Sequence, residues 1–86
     1  MLSAQKKSKL TWHCRRGMLE LDLILGRFLE NHLETMTDVE FDLIETFLTH
    51  ADPDLYAWLM GYDVPSDQAS LDCVTLIRSH HRIQKI

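Results

Sequence analysis

Apolar residues recur at helical spacing along most of the chain, and alternating strand-like runs are nearly absent. Leu10 and Cys14 fall on one face of a first helix. Arg15-Arg16 followed by Gly17 reads as its end, because cations suit the negative end of a helix dipole and glycine suits the left-handed residue beyond it. A second helix spans about Met18 to Leu33, with Leu21, Ile24, Leu25, Phe28 and Leu29 as a wide buried stripe. Gly26 interrupts that stripe, weakens the helix by about 1 kcal/mol relative to alanine, and marks a kink or a close helix contact. Thr37-Asp38-Val39-Glu40 is a capping box. The helix it opens carries Phe41, Ile44, Phe47 and Leu48 inward and stops near His50 or Ala51. Asp52-Pro53 opens a fourth helix, with aspartate as N-cap and proline at the first helical position. Leu55, Trp58 and Leu59 form its buried side, and Gly61 closes it. Pro65-Ser66-Asp67 starts a fifth, with Leu71, Cys73, Val74 and Ile77 facing the core. The pattern predicts an all-α fold: one compact bundle of about five short helices over residues 1–86, frayed at 1–7 and 82–86.

Length and composition narrow this picture. Eighty-six residues hold one core, and 45% apolar residues suffices to build it. No run of eighteen apolar residues exists, so no direct membrane insertion is expected. Lys6, Lys7 and Lys9 precede no apolar stretch of the kind a secretory signal requires. Cys14 and Cys73 match no metal or redox spacing and read as reduced thiols in a cytoplasmic protein.

The net charge of −4 is unevenly spread. Residues 1–17 carry five Lys/Arg and no acid, whereas Glu20 to Asp72 contains thirteen acids and a single cation, Arg27. An acidic body repels phosphate backbones, so a nucleic-acid role would rest on the basic ends alone. The acidic face serves solvation or a protein partner with a basic surface.

Catalytic constellations are missing from the pattern. His80 and His81 are sequential and point about 100° apart on a helix, so they cannot chelate together; no histidine pair stands at the i, i+4 spacing of a metal site. Cys14 lies beside His13, Arg15 and Arg16, which would favour its thiolate, but it also lies on the apolar face, where cysteine packs as a small core residue. Intrinsic enzymatic activity is therefore not expected. The densest local signal is Arg15-Arg16-Gly17-Met18-Leu19-Glu20. An Arg16–Glu20 pair on a helix surface contributes only about 0.3–0.5 kcal/mol, and its cation-first order is the poorer one. If Gly17 separates two helices, Arg16 and Glu20 instead flank a bare backbone turn that a partner can approach closely.

Trp12-x-Cys14-Arg15-Arg16-Gly17-Met18-x-Glu20-Leu21-Asp22, followed by Asp52-Pro53-Asp54-Leu55-x-x-Trp58-Leu59, resembles the SdhE family of succinate dehydrogenase assembly factors. The resemblance runs over about residues 8–80, and its hallmark is R-G-x-x-E, here Arg16 to Glu20. It implies a five-helix domain that promotes covalent attachment of FAD to a histidine of the flavoprotein subunit of succinate dehydrogenase and, in bacteria, fumarate reductase. The flavin belongs to the partner and carries the chemistry, and the factor, a monomer when free, holds no stably bound cofactor. The resemblance places Arg16, Gly17 and Glu20 at the partner-facing site, with Arg15, Trp12 and Asp54 at its rim. Two other classes compete. One is an antitoxin-like regulatory module that sequesters a basic partner through Glu30, Glu34, Asp38 and Asp42. The other is a nucleic-acid binder using Lys6, Lys7, Lys9 and the paired arginines.

Overall fold

The computed structural model describes residues 2–81, and among them five α-helices and no strand. The helices are α1 (Ala4–His13), α2 (Leu19–His32), α3 (Asp38–Phe47), α4 (Asp52–Met60) and α5 (Gln68–His81). A 3-10 turn (Leu33–Thr35) follows α2 directly. Helix α2 is the central element. It packs most extensively on α5 and also on α4, while α3 lies between α5 and α1. The buried stripe of α2 is Leu21, Ile24, Leu25 and Phe28, with Leu29 at its edge. It meets Ile44 and Phe47 of α3, Leu55 and Leu59 of α4, and Cys73 and Ile77 of α5 in one continuous core.

Helix α1 begins at Ala4. The Ser3 hydroxyl caps α1 by accepting the Lys6 N–H at 3.2 Å, and Leu2 is 4% exposed. A satisfied cap and a buried leucine are sufficient to hold this first turn. Met1 and residues 82–86, for which fraying was expected, lie outside the described residues.

Local signals set most boundaries. Thr37 and Glu40 form the capping box in full: the threonine hydroxyl accepts the Glu40 N–H at 3.1 Å and the glutamate accepts the Thr37 N–H at 3.0 Å. Gly61 ends α4 in the left-handed conformation, φ 81°. Asp67 caps α5 by accepting the Ser70 N–H at 2.9 Å.

Other expectations are corrected. Helix α1 ends at His13, and Gly17, although left-handed at φ 88°, lies three residues beyond the Cys14 cap, inside a connection to α2. Ala51, not Asp52, is the N-cap of α4, with no side-chain cap; the Asp52 carboxylate is used elsewhere. Helix α2 runs unbroken through Gly26, and a Cβ there would meet nothing within 4 Å, so no close helix contact explains this glycine. Trp58 is only half-buried, tilted against Phe47 at 6.0 Å and edge-on to His50 at 5.1 Å. On α5 the buried stripe is Ser70, Cys73, Val74 and Ile77, a regular i, i+3, i+4, i+7 set. Leu71 is one step round the helix from Ser70 and is exposed.

Part of the segregated charge is paired within the fold. Basic α1 lies against α3 and the 3-10 turn before it: Lys6 pairs with Asp38 of α3 at 3.1 Å, Lys7 with Glu34 of the turn at 2.6 Å, and His13 with Glu45 of α3 at 2.8 Å. Lys6 also stands 5.2 Å above the Phe41 ring. Each surface pair is worth at most about 1 kcal/mol, but three along one helix fix how α1 lies.

Candidate functional site

The connection between α1 and α2, residues 14–18, is where the predicted site residues gather. Its inner wall is Cys14, 4% exposed, whose thiol is pushed up to about 12. Burial is the main cause and Glu45 adds to it, outweighing the opposing pull of Arg16. Neighbouring arginines therefore do not make this cysteine a nucleophile. Cys73 of α5 is buried likewise, and burial raises its thiol too.

Arg16 turns inward. Its Nε donates to Asp52 Oδ1 at 2.8 Å, Nη1 to the His13 carbonyl at 3.1 Å, and Nη2 to the His50 carbonyl at 3.4 Å. Its side chain is 21% exposed. The Arg16–Glu20 ion pair considered from sequence does not form. Asp22 reaches back from α2 and accepts the Arg16 N–H at 2.7 Å and the Gly17 N–H at 3.2 Å. A pocket of about 240 Å³ lies behind Arg16, lined also by His13, Glu45, Leu48 and Thr49. That is below the roughly 300–1,000 Å³ usual for small-molecule sites.

The outer surface differs sharply. Gly17 is exposed, and a Cβ at its position would meet nothing within 4 Å. Here the bare backbone of the chain is open to an approaching molecule. Arg15, Glu20 and Asp54 are exposed, as is Trp12 at 71%. Among the described residues, the side chains of Arg15 and Glu20 make no hydrogen bond or ion pair. Glu20 faces α4, where its charge, after burial and the neighbouring Tyr62, helps hold the Tyr56 phenol above its ordinary range. Tyr56 and Tyr62 meet edge to face at 6.0 Å. Gly17 and Glu20 thus flank one turn, and Asp54 stands on the first turn of the helix that Arg16 braces. Asp22 and Asp52, which hold that turn, were not singled out from sequence as site residues. Asp22 closes the R-G-x-x-E-L-D run and was legible there only as a charged helix residue.

A family profile described as the flavinator of succinate dehydrogenase, Sdh5, matches residues 8–81. The chain belongs to this family. Related proteins named FAD assembly factor SdhE include that of Legionella pneumophila (strain Lens), 47% identical over 75 residues, covering 87% of this chain and 94% of the relative. That of Photobacterium profundum is 41% identical over 81 residues, covering 94% and 92%. The solution structure of a UPF0350 protein, 38% identical, superposes with a TM-score of 0.72 over 93% of this chain and 85% of its own. Family membership and the five-helix fold therefore agree with the resemblance carried by Arg16-Gly17-x-x-Glu20. Among the described residues, no helix is long and apolar enough to cross a membrane, and no group of three or more metal-ligating side chains clusters.

Proposed function

We propose that this chain binds the flavoprotein subunit of succinate dehydrogenase and promotes covalent attachment of FAD to its histidine, the flavoprotein of fumarate reductase being a second client. The bond-forming chemistry resides on the partner, where the flavin supplies the electrophilic carbon. This chain holds no cofactor of its own; it acts as a non-catalytic chaperone that aligns the reacting groups, in keeping with its family.

The observation that carries this reading is the turn at Gly17. An exposed left-handed glycine with open space above its Cα allows another chain to approach the backbone itself, as no side-chain-bearing residue does. Among the described residues, Glu20 and Arg15 stand beside it as exposed charges with no ion-pair partner, available to an incoming surface. Trp12, 71% exposed, and Asp54 complete the rim. Exposed aromatics beside arginines are a common composition of binding hot spots.

The competing readings lose support from the ion pairs of α1. Glu34 and Asp38, which an antitoxin-like module would offer to a basic partner, are held by Lys7 and Lys6. The same pairs occupy two of the lysines, and Asp52 occupies one of the arginines, on which nucleic-acid binding would depend.

A pull-down with the tagged chain tests the proposal. The wild type is expected to retain the flavoprotein subunit. Glu20→Ala and Gly17→Ala should each weaken retention roughly tenfold, the loss of one desolvated contact in an interface. Retention unchanged in both variants would move the docking site elsewhere.

A further inference from the structure

Carboxylates from two different helices hold the connection between α1 and α2. Asp22, in the first turns of α2, accepts two consecutive backbone N–H groups, those of Arg16 and Gly17, one on each oxygen. Asp52, the first residue of α4, accepts Nε of Arg16, whose remaining nitrogens reach the carbonyls of His13 and His50. All three guanidinium nitrogens are therefore engaged within the protein. Asp52 is itself 30% exposed at its side chain, so the pair is more enclosed than the open ion pairs of α1.

Gly17 makes this bracing consequential. Glycine populates left- and right-handed conformations about equally, so steric preference alone does not set the shape of the turn. A turn that fluctuates in the free protein must be ordered on binding, and that ordering subtracts from affinity. The Asp22 clamp removes part of this cost by fixing the Arg15–Arg16 and Arg16–Gly17 peptide groups, which lead into the glycine, before a partner arrives.

We infer that Asp22 and Asp52 are positioning residues for the docking turn, and that Arg16 works through Asp52 rather than by touching the partner. The inference rests on the reading of this turn as the docking element. It divides the R-G-x-x-E motif by role: Arg16 shapes the turn from within, and Gly17 and Glu20 present it outward.

A double-variant cycle separates bracing from contact. Affinity for the purified flavoprotein subunit of succinate dehydrogenase is measured for the wild type, Arg16→Ala, Asp52→Ala and the double variant, alongside thermal stability. Each single variant is expected to raise Kd roughly tenfold, and the double variant to be no worse than the weaker single, because both remove the same interaction. Additive losses would overturn the inference by showing that Arg16 meets the partner independently of Asp52. Arg16→Lys covers the case in which the alanine variants unfold. An ammonium carries its three donors on one atom and lacks the planar spread by which Nε, Nη1 and Nη2 reach acceptors on different segments, so lysine should bind as poorly as alanine; wild-type affinity would overturn the proposal. Asp22→Asn should accelerate amide hydrogen exchange at Arg16 and Gly17 and raise Kd about fivefold without a matching loss of thermal stability. Unchanged exchange and affinity would remove Asp22 from the role. A wild type that does not bind the subunit overturns the docking reading itself, whereas wild-type binding with additive losses overturns only the bracing.

Discussion

Gly17 and Gly26 have equally empty surroundings and opposite meanings. Neither would bring a Cβ within 4 Å of another atom. Their backbones decide the difference: Gly17 stands at φ 88°, while Gly26 continues a regular helix. Gly26→Ala should therefore stabilise the protein by about 0.5–1 kcal/mol through helix propensity alone. In a domain of this size that is a rise of several degrees, about 4–8 °C per kcal/mol, in a calorimetric melt. A fall in melting temperature would show that Gly26 has a packing role. Nothing in the structure supplies a reason for glycine at position 26. At the same scale, Cys14 shows why neighbouring charge is a poor guide by itself. Arg16 stands close enough to favour the thiolate, but burial is the larger effect and the thiol stays protonated.

Caps explain most of the element boundaries and one pH dependence. Burial disfavours the Glu40 carboxylate, but the Thr37 N–H and the His32 ring at 2.9 Å outweigh it, so Glu40 titrates below its ordinary value of 4.5. A carboxyl group depressed by folding stabilises above its unfolded pKa and loses that contribution as pH falls through the lower folded value. Wild type should thus melt above Glu40→Gln near neutral pH, by up to ~1 kcal/mol, with the gap closing below pH 4.5. A gap that persists in acid would assign the stabilisation to shape and not to charge.

The elements also show what was legible in the sequence. Thr37 and Glu40 satisfy each other locally, and Gly61 ends α4 by its own backbone preference, so both ends could be read from a few adjacent residues. The buried stripe of α2 was legible because 3.6-residue periodicity belongs to the helix itself. Asp52 was misread because its role is set by a residue thirty-six positions away, Arg16, which takes the carboxylate that a local reading assigned to capping. Leu71 was misread because the exact rotation of α5 depends on the Asp67 cap, and one residue of phase exchanges it with Ser70. In the candidate site, the exposed glycine and glutamate were visible as a motif. The inward turn of Arg16 was not, because it depends on the meeting of three helix ends.

Across the whole molecule, charge is organised from within before it is offered outward. The basic first helix neutralises part of the acidic third, and Asp22 and Asp52 surround Arg16 at the helix connection. On the surface beside Gly17, Arg15 is exposed on one side and Glu20 on the other. Under the proposed function, that surface meets a partner that carries the chemistry. Covalent flavin on the flavoprotein subunit of succinate dehydrogenase, read as fluorescence of its band in a denaturing gel, tests this most directly. The host is a strain whose own assembly factor has been deleted. Fluorescence should return when this chain is supplied and fall markedly when Glu20→Ala replaces it. Fluorescence equally strong with and without the chain would contradict the account.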